Sequence, residues 1–74
     1  MKKYSFTVVI EKDPSVNLFV GEVPGFPGCH GQGETIEELI VNMREVIELC
    51  LESQKDISNL PKFVGVQQVE VVTG

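Results

Sequence analysis

One histidine, two cysteines and six basic residues among 74 leave this chain short of material for several kinds of chemistry. Zinc centres draw their ligands from Cys and His at characteristic spacings, and no pair or quartet here has finger spacing. Two cysteines cannot build a disulfide framework, so the chain is expected to be cytoplasmic with both thiols reduced. Against the six bases stand eleven acids, for a net charge of −5. Sequence-independent binding to DNA or RNA draws on basic surface, so this charge disfavours it. It suits plain solubility or a basic protein partner. Long apolar runs are missing too. Met1-Lys2-Lys3 resembles the start of a signal peptide, but Ser5, Thr7 and Glu11 interrupt the apolar stretch that would have to follow. Nothing approaches the roughly 18 residues of a membrane span. A single domain of this length buries only roughly 60% of its unfolded surface, and oligomerisation is one of the usual remedies.

What is present is strong local patterning. Residues 3–11 alternate, with Tyr4, Phe6, Val8 and Ile10 on one side and Ser5, Thr7, Val9 and Glu11 on the other. That predicts a strand with one apolar face. Lys12-Asp13-Pro14-Ser15 reads as a turn, and Asn17–Val23 as a second strand antiparallel to the first. The prolines of residues 24–28 interrupt pairing, and Cys29–Gly33 reads as a short third strand. Thr35 and Glu38 form a T-x-x-E capping box, in which each side chain bonds the other's backbone amide. It opens a helix over Ile36 to about Ser53. Ile36, Leu39, Ile40, Met43, Ile47, Cys50 and Leu51 repeat at i, i+3, i+4 and i+7 along one side of it. After a connection over Asp56–Pro61, Val66–Val72 reads as a last strand. The fold class is α+β, in the order β-β-β-α-β, with one main helix on one face of an antiparallel sheet. Residues 1–74 form a single domain. Apolar residues left on the other sheet face, Val9 among them, suggest a buried interface.

The glycines of VPGFPGCHGQG look at first like a phosphate cradle. Their spacing gives neither G-x-x-x-x-G-K-[ST] nor G-x-G-x-x-G, and Glu34 and Glu37 place negative charge where a phosphate would sit. The bland reading is a turn that aims the chain into the helix. Cys29 and His30 look like a nucleophile and its base. Neighbours on a strand point to opposite faces, so Cys29 reads as a core residue and His30 as a surface or interface residue. Carboxylates are plentiful but do not converge on a cleft, as metal-dependent nuclease chemistry requires. No catalytic, cofactor or metal residue is assigned. Glu38, Glu45 and Glu52 recur every seven residues opposite the core side of the helix. Glu48 lies beside them, and Val41 and Leu49 flank Glu45. This stripe reads either as a solvated face or as a docking surface for a basic protein.

The segment P-G-C-H-x-Q-G-[DE]-T-x-E-E, here Pro27 to Glu38, and the acid-rich helix after it resemble the HicB-like antitoxin domain. The likeness runs from about Tyr4 to Leu51. It implies a partly degenerate RNase H-like fold that forms dimers or tetramers. It also implies a non-enzymatic role: binding HicA, a small basic mRNA-cleaving toxin, and masking its active surface. Toxin contact would then use His30, Glu38, Val41, Glu45, Glu48, Leu49 and Glu52, or the open sheet regions. Members of that family usually carry a C-terminal DNA-binding segment, and no such domain is expected within these 74 residues. Two other readings stay open: a homo-oligomeric binding protein without a toxin, and a residual metal-dependent nuclease of RNase H type.

Overall fold

The computed structural model describes residues 3–53, 57, 58 and 60–74. Met1 and Lys2, and Asp56 and Asn59 of the expected connection, lie outside the described residues. The alternating first segment and the polar turn after it produce the expected hairpin. β1 (Val9–Asp13) pairs antiparallel with β2 (Leu18–Glu22), Val9 opposite Glu22 and Asp13 opposite Leu18. At the turn, Asp13 Oδ1 accepts from the Ser15 hydroxyl at 2.6 Å and from the Ser15 amide at 3.0 Å. These two bonds hold the exposed Asp13 carboxyl below its usual pKa. β3 (His30–Gly33) pairs antiparallel with the other edge of β2, giving the order β1-β2-β3.

β1 starts at Val9, later than the alternation suggests. Continuing its register would set Val8 against Val23 and Thr7 against Pro24. Val23 instead donates its amide to the Cys29 carbonyl at 3.0 Å, and proline has no amide to give. Residues 3–8 are left without a strand partner among the described residues, although Phe6 and Val8 still pack on the core.

Between β2 and β3 the chain makes two consecutive turns of one design. Phe26 donates to the Val23 carbonyl and Cys29 to the Phe26 carbonyl, each at 3.1 Å. Pro24 and Pro27 hold the second positions. Gly25 and Gly28 hold the third, with φ of 77° and 74°. These are type II turns, which ask for proline and glycine at those places. Their effect is to fold Phe26 and Cys29 inward, Phe26 tilting against Phe6 at 6.1 Å between ring centroids.

α1 (Ile36–Ser53) is capped by Thr35, whose Oγ1 accepts from the Glu38 amide at 3.1 Å while its carbonyl accepts from Leu39 at 2.9 Å. The helix lies on the sheet face that carries Phe19, Gly21, Gly31 and Gly33. Leu39, Met43, Cys29, Phe26 and Val23 are buried there, with Val46, Ile47 and Cys50 packed around them. The core side of the helix is therefore centred on Leu39, Met43 and Cys50 and includes Val46. Ile36 and Ile40, expected in the core, overhang it and stay exposed.

The closest approach is at Gly33. A β-carbon there would stand 2.5 Å from the Leu39 amide nitrogen and 2.9 Å from its Cα. A second tight point is Gly25, where a β-carbon would meet the Pro61 ring at 3.0 Å. Ile57 and Leu60 pack on the core before Pro61. From Pro61 to Gly74 every residue is exposed and no strand forms, so the expected last strand has no partner within the described residues.

Gly33 and Gly28 separate two reasons for a glycine. Gly33→Ala forces backbone apart and is expected to cost about 3 kcal/mol or prevent folding. Gly28 has nothing within 4 Å of a built β-carbon, so Gly28→Ala meets only the penalty of its positive φ, about 1 kcal/mol. Urea unfolding of the two variants checks this order, and equal losses would contradict it.

Candidate functional site

The suspected Cys29–His30 pair is separated by the sheet. Cys29 is 1% exposed and faces the helix. His30 is exposed on the opposite face, directly across from Glu22 in the β2–β3 register. Burial, and behind it the neighbouring Cys50 thiol, push the Cys29 thiol up to about 12, so it is a poor nucleophile near neutrality. The nearness of Cys50 was not legible in the sequence, because the 20 residues between the two cysteines give no spacing rule. Among the described residues no three of His, Cys, Asp and Glu gather closely enough to hold a metal ion.

The helix does bring the other candidates together. Glu38, Val41, Glu45, Glu48 and Glu52 follow one another at alternating steps of three and four, which keeps them on one side of α1. All are exposed, and Val41 and Leu49 are 56% and 63% exposed. This side points away from Leu39 and Met43. Acids at Glu37 and Glu38 also suit the positive end of the helix dipole.

Two grooves border the stripe. One, of about 520 Å³, runs between the first segment and the helix, with Tyr4, Phe6 and Val8 on one wall and Ile40, Arg44 and Glu48 on the other. The second, of about 450 Å³, lies at the far edge of the sheet and includes Phe26, Pro27, His30, Val46 and Leu49. His30 therefore does not belong to the helix stripe itself. It reaches the stripe's margin from the edge strand, sharing the second groove with Leu49. Asn42 was missed by the sequence reading. Its Nδ2 donates to the Gln32 carbonyl at 2.8 Å and ties the helix to that same edge strand. The signal that could have found it is a polar residue one turn from the core positions Leu39 and Val46 of the helix.

The open sheet face carries Val9, Glu11, Val20, Glu22, His30 and Gln32. Its valines are half-buried between charged neighbours and do not form an exposed apolar sheet. Among the described residues no helix is long and apolar enough to cross a membrane.

The comparison with known proteins agrees with the motif. A family model described as the HicB-like antitoxin of bacterial toxin–antitoxin systems matches residues 6–71. A UPF0150 protein of Synechocystis sp. is 48% identical over 71 residues, 96% of this chain and 100% of the relative. UPF0150 proteins of Thermotoga maritima and Archaeoglobus fulgidus are each 46% identical, over 92% and 93% of this chain and 91% and 97% of their own. No solved structure matches significantly. The chain belongs to the HicB-like antitoxin family.

The buried thiol gives a direct check. At pH 8 a thiol reagent is expected to modify the half-buried Cys50 well before Cys29, which reacts only as the protein unfolds. Because the folded pKa is raised, the stability it contributes is fully present below the ordinary value of 9.0 and is lost as pH rises towards about 12. Rapid native labelling of Cys29 at pH 8 would show that its environment is different.

Proposed function

We propose that this HicB-like antitoxin-family chain binds and neutralises a small, basic, mRNA-cleaving toxin of the HicA type by covering the toxin's active surface. The observation that carries this reading is the exposed carboxylate stripe of α1, Glu38, Glu45, Glu48 and Glu52, interleaved with exposed Val41 and Leu49. An acidic surface attracts a basic protein over long range and sets its orientation. The apolar side chains then supply area that water leaves on contact. A toxin that holds RNA must present basic groups, so the same stripe that attracts it also competes with its substrate.

In this reading the sheet and helix are the part of an RNase H-like scaffold kept for display, and the chain itself performs no hydrolysis. His30 forms the margin of the contact beside Leu49 in the second groove. The turns between β2 and β3 position that margin by holding the edge strand against the helix.

Charge reversal tests the stripe without touching the core. The double variant Glu45→Lys, Glu48→Lys is expected to slow association with a HicA-type toxin by roughly tenfold or more at low salt, with wild-type binding also weakening as salt rises. Surface resonance rates and an mRNA-cleavage protection assay report this. Unchanged rates, or no binding by the wild-type chain to a toxin encoded beside it, would sink the proposal. Magnesium-dependent RNA cleavage by the highly purified chain would overturn its non-catalytic part.

A further inference from the structure

The core holds a pair of reactive side chains that the proposed function leaves unused. β3 and α1 lie side by side in opposite senses, and their contacts form a ladder. A β-carbon at Gly33 would meet Leu39, and one at Gly31 would meet Met43 and Val46. Two residues of strand rise about 7 Å and four residues of helix about 6 Å, so the next rung joins Cys29 to the turn that ends at Cys50. The two thiols meet there. Cys50 packs on the core cluster that contains Cys29, and the two sulfur groups are hydrogen-bonded to each other. Both are free thiols in this structure.

The packing suits a covalent bond at this rung. A disulfide asks for α-carbons about 4.4–6.8 Å apart. Ordinary side chains between a strand and a helix hold the backbones too far apart for that. Here the two strand positions after Cys29 that face the helix are glycines, and the backbones come into contact at Gly33. The thiols also differ in access. Cys29 is sealed at 1% exposure. Cys50 is half-buried and lines the groove of about 450 Å³ beside Pro27, His30 and Leu49. A small oxidant entering that groove meets the Cys50 sulfur first, with the Cys29 sulfur behind it. An accessible thiol backed by a resolving one is the arrangement of a reversible redox pair.

We infer that Cys29 and Cys50 form a reversible redox site, in which a small hydroperoxide oxidises Cys50 and Cys29 then closes an internal disulfide from the head of β3 to the last turn of α1. The Cys50 sulfur, its proton released to solvent, attacks one peroxide oxygen. The O–O bond breaks, and the leaving oxygen takes a proton back and departs as alcohol or water, which makes Cys50 a sulfenic acid. The Cys29 sulfur attacks the Cys50 sulfur, the S–O bond breaks, and the departing hydroxide takes the Cys29 proton and leaves as water. Two electrons pass from the thiols to the peroxide. A dithiol reductant reopens the bond by exchange. The bond closes a loop over the 20 intervening residues, which hold β3, the helix cap and most of α1. Constraining that loop in the unfolded chain lowers the unfolded fraction by roughly a hundredfold. None of Glu38, Glu45, Glu48 and Glu52 lines the Cys50 groove, and the bond forms within one chain. The inference therefore stands or falls independently of any toxin.

Mass spectrometry of the full reduced chain tests this. The chain is treated with a small excess of hydrogen peroxide near neutral pH, quenched with N-ethylmaleimide in denaturant and weighed intact without reductant. The expected product is a single chain lighter by two hydrogens that takes up no maleimide. Trypsin, cutting after Lys12, Arg44 and Lys55, is expected to release residues 13–44 linked to residues 45–55. Dithiothreitol then restores two reactive thiols, and the oxidised chain unfolds at higher urea than the reduced one. The Cys29→Ala chain is expected to stop at a Cys50 sulfenic acid that dimedone traps. The wild-type readout depends on no variant's folding. If peroxide leaves both thiols open to maleimide, links chains only to one another, or carries Cys50 to the sulfinic acid without the internal link, the inference fails.

Discussion

The approach of Gly33 to the Leu39 backbone governs the rest of this structure. β3 has glycine at both helix-facing positions, Gly31 and Gly33, so almost no side chain separates that strand from α1. The helix comes down until Met43 lies against Gly31 and the Asn42 side chain reaches the Gln32 carbonyl. An interior packs to a nearly fixed density, so a helix drawn close on one side cannot cover the whole sheet. Here α1 packs on β3 and β2 and not on β1. The groove beside Tyr4, Phe6 and Val8 and the exposure of Ile36 and Ile40 follow from that offset.

The same offset explains which features the sequence disclosed. The helix was legible from Thr35 to about Ser53, because its cap and its 3.6-residue period are local properties. For the same reason the stripe of Glu38, Val41, Glu45, Glu48 and Glu52 could be placed on one side before any tertiary contact was known. The alternation of residues 3–11 disclosed which side chains face the core, and Phe6 and Val8 do. It did not disclose where pairing stops, since that depends on Val23 turning away to bond Cys29. The repeated P-G pairs were legible as turns, whereas the placement of Phe26 in the core was not. His30 lies on β3 and not on the helix, at the margin of the stripe beside Leu49. Its position relative to the helix depends on β3 being an edge strand.

The acids of α1 carry a local cost that bears on their role. Glu48 and Glu52 stand four residues apart, a spacing that destabilises a helix by a few tenths of a kcal/mol. The last turn has no basic residue to complement the dipole. A helix selected only for its own stability would place lysine or arginine there. On the proposed function the cost is recovered in the complex, because a surface that is electrostatically unfavourable alone becomes favourable when a basic partner covers it.

The balance of apolar side chains ties folding to association. Among the described residues five are buried: Val23, Phe26, Cys29, Leu39 and Met43. Five valines of the 64–72 arm are almost fully exposed. Burying a valine fully contributes roughly 1.5–3 kcal/mol, so covering five represents about 7–15 kcal/mol as an upper estimate. Whole domains are stable by only about 5–15 kcal/mol. Against that gross gain stands the ordering of nine residues, at about 1–2 kcal/mol of backbone entropy each, so covering the valines alone comes out near balance. A cover has to supply backbone pairing as well as apolar area, and when it comes from another molecule its occupancy depends on protein concentration.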